Sequence, residues 1–295
     1  MTTSSPTAPP TERVTLITGC TSGIGEAAAR ALAAQPGTLV LLGRSASKLA
    51  ALQAALRGGA ATIETIQADL GERAQVRRAA EALLATHPKL HLLINNAGVY
   101  NQERKLTADG VEETFAVNHL AYFELTLRLL PALRAAAAPD APARVINVAS
   151  DAHRASSMGW ADLEKAQGYG QGWGAYAQSK LANILFTRAL GRRMAGRGVV
   201  VHAMHPGFVN SGFARNNGWL GNLAMNISRP FQRSPARAAE TITFLATSPE
   251  AGRSTGGYWA NERPSTPTRA ARDEAAEERL WAVSLERCGL SEPAL

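Results

Sequence analysis

Cysteine is scarce in this sequence, whose 295 residues include only Cys20 and Cys288, far apart in the chain. Two such cysteines give no disulfide framework, and neither they nor the six histidines have the spacing of metal ligands. A basic stripe is also absent, because the net charge of +7 comes mostly from dispersed arginines. We therefore expect no metal site and no nucleic-acid partner, and a solvated surface instead.

The N-terminal residues lack a long apolar run. Residues 1–12 are rich in Ser, Thr and Pro, a composition that predicts a disordered tail. Because they have no apolar core of the kind found in a signal peptide or an anchor, we expect a cytoplasmic protein without a membrane anchor. The chain, at 45% apolar residues, is long enough for one large domain.

A tyrosine and a lysine, Tyr176 and Lys180, stand one helical turn apart. On a helix, positions i and i+4 share a face, so the phenol and the ammonium reach the same small volume. A free phenol titrates near pH ~10 and exchanges protons poorly at neutrality, whereas a neighbouring cation lowers its pKa. The pair predicts acid/base catalysis. Such spacing also arises by chance, so the prediction depends on the other motifs in the chain.

A glycine-rich turn near the N-terminus predicts a phosphate-binding site. Residues 14–18 are typical of a buried parallel strand, and the alanine-rich residues 26–34 predict a helix. This order begins a dinucleotide-binding fold, in which glycines admit the pyrophosphate and the helix N-terminus offers free N–H groups. An ordinary strand-to-helix turn is the alternative. The candidate residues are Gly19, Thr21, Ser22, Gly23, Ile24 and Gly25.

The end of the second predicted strand indicates which nucleotide binds. Residues 38–42 form this strand, and no carboxylate follows it to accept from a ribose 2′-hydroxyl, as an NAD site usually requires. Gly43 leaves room there, and Arg44 offers a permanently charged donor fork suited to a 2′-phosphate. The alternative is a solvated loop arginine. We predict NADP(H) as the cofactor.

Strands and helices alternate along the rest of the chain. Further strands are predicted at residues 62–66, 90–94, 144–149, 199–204 and about 257–259, and helices at 72–86 and around 111–125. The pattern predicts an α/β, Rossmann-type fold, a single domain with a doubly wound, mostly parallel sheet. The carboxyl ends of these strands, where ligands bind, carry Gly19, Arg44, Asp69, Asn96, Ser150 and Gly207.

The chain divides into three parts. After the tail, residues 13–262 are expected to form the NADP-binding catalytic domain, and residues 263–295 a C-terminal extension. Within the extension, residues 273–288 alternate charges with Leu280, Trp281 and Leu285. This spacing predicts an amphipathic helix that docks on the domain.

Taken together, these motifs resemble the short-chain dehydrogenase/reductase family over roughly residues 13–260. The glycine turn, residues 95–98, Asn118, Ser150, Tyr176, Lys180 and residues 206–207 all follow the family order. Residues 179–186, 205–207 and 278–281 resemble the retinol-dehydrogenase-like branch more loosely. Because members of the family often pair through the helix that bears the Tyr and Lys, the resemblance also implies a possible homo-oligomer.

The resemblance implies a role for each site residue. Tyr176 would exchange a proton with the substrate oxygen, Ser150 would hydrogen-bond the same oxygen, and Lys180 would lower the pKa of Tyr176 and hold the nicotinamide ribose. Asn118 would kink its helix and help to hold a water that links Lys180 to solvent. The remaining cofactor contacts would come from Asp69, Leu70, Asn96, Ala97, Gly98, Pro206, Gly207, Val209 and Ser211.

Two loops beside the predicted site are rich in aromatic and apolar residues. The first carries Met158, Trp160, Leu163, Tyr169 and Trp173, and the second Phe208, Phe213, Trp219, Leu220, Met225 and Phe231. We interpret them as the walls of an apolar substrate pocket, with a dimer surface or simple loop packing as alternatives. Arg154, Lys165 and Arg215 are the cations that could instead bind an acidic substrate.

These inferences predict an oxidoreductase that uses NADP(H) to interconvert an apolar alcohol and its aldehyde or ketone. The alternative is a non-catalytic NADP(H)-binding sensor or interaction protein, since a fold alone does not decide function. The presence of Ser150, Tyr176 and Lys180 together favours the enzyme, because a binding module has no need of all three.

Overall fold

The computed structural model describes residues 13–138, 140–207 and 234–293. A single sheet forms its centre, with strands β1 Val14–Thr18, β2 Gly37–Gly43, β3 Ala61–Gln67, β4 Leu92–Asn95, β5 Ala143–Val148, β6 Val199–His205, β7 Gly257–Ala260 and β8 Arg263–Ser265. Their spatial order is β3-β2-β1-β4-β5-β6-β7-β8, and every neighbouring pair is parallel except β7 and β8. The predicted doubly wound, mostly parallel sheet of a single domain is confirmed.

The central strands are buried and largely apolar because helices cover both faces of the sheet. Successive residues of β1 show this arrangement. Leu16 packs into the hydrophobic core on one face, and Ile17 packs into the core on the other. The edge strand β3 is only partly buried and carries polar residues such as Glu64. The sheet therefore brings the carboxyl ends of its parallel strands to one edge between two cores.

Two strands differ from the sequence prediction. The strand expected at residues 90–94 begins at Leu92, because the amide of Leu90 donates to Ala132 O of a neighbouring helix rather than to the sheet. Strand β8 was not predicted, since it has three residues, includes Pro264 and lies at the sheet edge, where proline is tolerated. The expected boundary after residue 262 falls between β7 and β8, which pair with each other.

The helices that flank the sheet are α1 Gly23–Ala33, α2 Ala46–Leu56, α3 Arg73–Thr86, α4 Glu113–Phe115, α5 Ala121–Ala136, α6 Trp173–Met194, α7 Pro235–Thr247 and α8 Glu274–Cys288. Helices α2 and α7 were not singled out from the sequence. None of the helices in the described part of the chain is both long and apolar enough to cross a membrane.

A π-helical segment, Ala116–Leu120, joins α4 to α5. Here the amide of Ala121 donates to Ala116 O, five residues back instead of four. The extra residue interrupts the helix that was expected through residues 111–125, and it places Asn118 in the middle of the irregular turn. Single π turns of this kind frequently occur at functional sites.

The C-terminal extension ends in α8, as predicted, and α8 packs against the domain. The Asp273 carboxylate caps its N-terminus by accepting from the amides of Ala275 and Ala276. Leu280 and Trp281 are buried, and the Trp281 ring lies 5.0 Å from that of Phe123. The predicted amphipathic helix is therefore present, and its apolar face completes the core beside α5 and α6.

A buried carboxylate in α8 holds this helix to α6. Glu277 is fully buried, and its two oxygens accept from Arg188 Nε at 2.7 Å and from the Arg192 guanidinium. A buried carboxylate without partners would be strongly unfavourable, so the two arginines are needed where the apolar faces meet.

We predict that Glu277→Ala lowers the free energy of unfolding by ~3 kcal/mol, the lower end of the range for breaking a buried ion pair. The lower end applies because the Arg188 and Arg192 side chains are 28% and 37% exposed, so water partly replaces the lost carboxylate. Glu286→Ala is the matched control, since Glu286 is exposed on the same helix. Equal urea midpoints for the two variants would show that the buried pairs add no stability.

Candidate active site

The carboxyl ends of β1 and β4 approach each other at the glycine turn. Gly19 has a φ of +63°, and a Cβ there would lie 2.6 Å from the Cα of Ala97, so only glycine fits. Asn96 Nδ2 donates to Thr18 O and to Gly19 O, both at 3.0 Å. Thr18 Oγ1 accepts from the amides of Asn96 and Ala97. The structure thus brings the predicted Gly19, Asn96 and Ala97 together, and adds Thr18, which the sequence reasoning missed.

Helix α1 begins directly after this turn. The side chain of its N-cap residue, Ser22, makes no capping hydrogen bond, so no side-chain cap of its own covers the first N–H groups. A Cβ on Gly25 would meet Asn96 Nδ2 and Gly19 O at 2.3 Å, which shows how closely the turn packs on the helix. Unsatisfied donors at the positive end of a helix dipole fit a pyrophosphate. Thr21, Gly23 and Ile24 belong to the same turn and first helical residues.

Cys20 lies in this turn and is fully buried. Burial raises the pKa of the Cys20 thiol to about 12, so the reactive thiolate is scarce at neutral pH. The Cys20 side chain therefore fills space in the turn, and its thiol is poorly suited to oxidation.

Arg44 follows β2 at the same edge of the sheet. Its side chain is 66% exposed, and its NH1 lies 3.7 Å from Asp69 Oδ2. Asp69 in turn accepts from the amide of Gly71 at 2.9 Å, and Leu70 is buried beside it. The predicted residues Arg44, Asp69 and Leu70 are thus neighbours, and the long ion pair leaves the guanidinium donors accessible to an anion.

Helix α6 brings Tyr176 and Lys180 beneath the carboxyl end of β5. Lys180 is buried, and its Nζ donates to Val148 O at 2.8 Å and lies 5.6 Å from the centroid of the Tyr176 ring. Ser150 follows β5 and hydrogen-bonds the Tyr176 hydroxyl. The structure therefore gathers the three groups proposed to act on a substrate.

Desolvation dominates the protonation of both groups. Burial raises the pKa of Tyr176 to about 12, against the opposing effect of the Ser150 hydrogen bond, and lowers the pKa of Lys180 to about 7. Burial thus outweighs the Ser150 hydrogen bond, and the pKa of Tyr176 in the chain by itself lies above its ordinary value. Tyr176 is therefore protonated at neutral pH, which suits a proton donor. The lowering by Lys180 that the resemblance implies stays a prediction.

Asn118 ties the π turn to two other elements. Its Oδ1 accepts from the amide of Val99 at 2.8 Å, and its Nδ2 donates to Val99 O and to Ser179 Oγ, both at 3.0 Å. These bonds hold the loop after β4 and the residue preceding Lys180 in fixed positions. The water that the resemblance assigns to Asn118 stays a prediction.

The remaining predicted cofactor residues divide into two groups. Gly98 follows Ala97 in the loop after β4, and Pro206 and Gly207 follow β6, at the same edge as the glycine turn. Val209, Ser211, Arg215 and the whole second aromatic loop lie outside the described residues, as does the N-terminal tail.

The first aromatic loop is mostly not a pocket wall. Trp160 stacks on the guanidinium of Arg279 at 4.6 Å and packs, with Met158, against the core. Tyr169 donates its hydroxyl to Glu112 Oε1 at 2.9 Å. The alternative interpretation, loop packing, therefore holds for these residues, because Arg279 of α8 and the buried Glu112, which caps α4, contact them.

Two aromatic side chains do flank Tyr176. Trp173 is 52% exposed, and its ring centroid lies 6.1 Å from that of Tyr176. Tyr100, which the sequence reasoning missed, lies 5.8 Å from Tyr176, and its hydroxyl donates to Gln171 O. An apolar surface thus stands beside the proton donor.

A polar group that the sequence reasoning also missed lies on the other side of Ser150. Asp151 accepts from Tyr258 OH at 2.9 Å and from Arg154 Nε at 3.1 Å, and its amide donates to His205 Nδ1. Arg154 also donates to Thr266 O. The charge of Arg154 is therefore already matched by a carboxylate.

Comparison with known proteins agrees with this geometry. The family model for short chain dehydrogenases matches residues 13–218. Retinol dehydrogenase 12 of Homo sapiens is 36% identical over 280 residues, which cover 94% of this chain and 87% of that protein. Polyprenol dehydrogenase of Mus musculus is 37% identical over 282 residues, which cover 94% of this chain and 84% of that protein.

Solved structures share the fold. A protein from Mycobacterium paratuberculosis, 30% identical, superposes with a TM-score of 0.77 and covers 96% of this chain and 95% of its own. RhlG of Pseudomonas aeruginosa in its NADP active-site complex is 29% identical, with a TM-score of 0.67 and coverage of 84% of this chain and 94% of its own. With this match, these relatives and this fold, the chain belongs to the short-chain dehydrogenase family of oxidoreductases, as a retinol-dehydrogenase-like member.

Proposed function

We propose that the protein is an NADP(H)-dependent oxidoreductase that interconverts an apolar alcohol and its aldehyde or ketone. The observation that carries this proposal is the half-buried Tyr176, whose hydroxyl hydrogen-bonds Ser150 and whose ring centroid lies 5.6 Å from Lys180 Nζ. The bound nicotinamide supplies the hydride.

The side chains of the site donate the proton, position the substrate oxygen and bind the cofactor. In the direction of reduction, Tyr176 donates its proton to the carbonyl oxygen, and Ser150 donates a hydrogen bond to the same oxygen and fixes its position. Lys180 would hold the nicotinamide ribose hydroxyls and return a proton to Tyr176. A positioned general acid contributes roughly 10²–10⁴-fold, so orientation and electrostatics supply the rest of the acceleration.

The preference for NADP(H) rests on charge at the end of β2. An exposed guanidinium on Arg44, with no carboxylate in the two residues that follow, suits a 2′-phosphate better than a free ribose hydroxyl. The competing partner, Asp69, is held partly by the amide of Gly71. The NADP complex of the related RhlG supports the same choice.

The residues around Tyr176 support the proposal that the substrate is apolar. Trp173 and Tyr100 present aromatic surface, and the nearby Arg154 is neutralised by Asp151, so it offers little to an acidic substrate. The names of the relatives, a retinol and a polyprenol dehydrogenase, describe enzymes of apolar alcohols and support the same class. The second candidate, a non-catalytic NADP(H)-binding protein, has no comparable observation in its favour.

We predict that Tyr176→Phe lowers kcat by ~10²-fold or more, because it removes the general acid, while the Kd for NADPH stays nearly unchanged. Tyr100→Phe is the matched control, since it removes the hydroxyl of the neighbouring ring and leaves the aromatic surface intact. Steady-state kinetics and fluorescence titration measure the two quantities. Turnover by Tyr176→Phe close to that of the wild type would rule out the assigned mechanism.

We predict that NADPH binds more tightly than NADH and that Arg44→Ala removes most of this difference. Loss of one charge-assisted contact costs about 1.5–3 kcal/mol, or roughly ten- to a hundredfold in affinity. Arg57→Ala, at an exposed arginine one helix further along the chain, controls for the loss of net charge. If titration gives equal affinities for the two cofactors, or the same ratio in Arg44→Ala, the NADP(H) assignment is wrong.

We predict that kcat/KM rises along a homologous series of aldehydes, since each buried CH₂ contributes about 0.8 kcal/mol. Trp173→Ala should flatten this rise and leave the shortest aldehydes nearly unaffected, because they do not reach the indole. Leu106→Ala is the matched control, as Leu106 is 54% exposed. A clear preference of the wild type for matched keto acids would contradict the apolar site.

A further inference from the structure

The residue three positions after Ser150 is a buried histidine whose two ring nitrogens are both engaged. His153 is fully buried in the short 3-10 turn Asp151–Ala155, which begins directly after Ser150. Its Nδ1 lies 2.7 Å from Ser150 O, and its Nε2 lies 3.3 Å from the amide nitrogen of Thr268. Because a carbonyl only accepts and an amide only donates, Nδ1 carries the proton and Nε2 accepts. The hydrogen bonds therefore select one neutral tautomer.

The turn is braced by the C-terminal part of the chain. The Tyr258 ring lies edge-on to His153, with centroids 5.2 Å apart, and its hydroxyl bonds Asp151. Arg154 donates to Thr266 O at 3.2 Å. Residues 258–268, the C-terminal brace, thus contact the turn at Asp151, His153 and Arg154. A short surface turn gains from the brace a rigidity that its own few hydrogen bonds do not provide.

The hydroxyl of Ser150 is oriented by the same turn. Its Oγ accepts from the amide of Ala152 at 3.1 Å, while its carbonyl accepts from His153. Rotation of the Ser150 peptide would therefore break both bonds and move Oγ relative to Tyr176. Small misplacements of a reacting group can lower a rate by about a hundredfold, so the hold on this carbonyl bears on the chemistry.

We propose that His153 is a positioning residue, which holds the Ser150 carbonyl against the C-terminal brace and thereby keeps the Ser150 hydroxyl aimed at the substrate oxygen. The inference rests on the proposed function, because it gives Ser150 a reacting partner. His153 itself touches neither the substrate oxygen nor the proton of Tyr176. Its effect should appear in kcat, while cofactor affinity depends on the glycine turn and Arg44.

Three variants test this role by steady-state kinetics with NADPH and a good aldehyde substrate. His153→Leu keeps apolar volume and removes both hydrogen bonds, so kcat should fall by about ten- to a hundredfold with the Kd for NADPH unchanged. His153→Asn keeps an N–H donor near the position of Nδ1 and should restore most of kcat. His91→Ala is the control, because His91 also holds a backbone amide, that of Val14, but at the opposite end of the sheet. It should lower the thermal midpoint and leave kcat as it is.

The outcomes separate the possible roles. Equal kcat values in wild type and His153→Leu, with or without a lower thermal midpoint, would overturn the positioning role and leave a structural histidine. Equal losses of kcat in His153→Leu and His153→Asn would also overturn it, because the donor to Ser150 O would not matter. If His153→Leu does not fold, His153→Asn decides alone, with high kcat expected. A wild type inactive on a broad panel of alcohols and carbonyl compounds would instead overturn the proposed function, and the inference with it.

Discussion

Lys180 is buried at the carboxyl end of β5, and its Nζ donates to the carbonyl oxygen of Val148. An amino group in this position is costly to charge, and its pKa of about 7 reflects that cost. This carbonyl belongs to the last residue of β5, and Asn183 Nδ2 also donates to it at 3.4 Å. The aromatic rings of Tyr122 and Tyr176 flank the ammonium at 5.9 and 5.6 Å. Because Lys180 is held at the end of β5, Tyr176, one turn earlier on α6, lies close to Ser150, which follows β5.

Holding one lysine in place requires that helix α6 be held as well. On one side, Asn118 in the π turn bonds Ser179, the residue before Lys180. On the other side, α8 packs its apolar face on α6, and Glu277 accepts from two arginines of that helix. His119, next to Asn118, hydrogen-bonds Ser284 of α8 at 2.8 Å. The C-terminal extension is therefore part of the support of the site, although none of its residues belongs to the predicted catalytic set.

The same extension explains why most of the first aromatic loop does not line the site. Arg279 stacks on Trp160, and Arg287 pairs with Glu164 at 2.6 Å, so α8 draws much of the loop away from the site. Trp173, the last aromatic residue of the loop and the first residue of α6, is left beside Tyr176. The left-handed conformation of Gln171 and Gly172 makes the bend that separates these two parts.

The sequence by itself determined the order of strands and helices and the identity of the groups at the sheet edge. Apolar periodicity and glycine turns are local signals, and the carboxyl ends of parallel strands must meet, so Gly19, Asn96, Ser150, Tyr176 and Lys180 could be predicted to converge. Only the tertiary structure decided which aromatics face Tyr176, that β8 pairs with β7, and that His153 and Asp151 support Ser150. It also decided the direction of the Tyr176 pKa shift. The pKa shift depends on burial, and the support of Ser150 depends on contacts between residues more than 50 positions apart, such as Asp151 with Tyr258 and His153 with Thr268. No local pattern carries that information, because desolvation and long-range hydrogen bonds arise only when distant segments pack together.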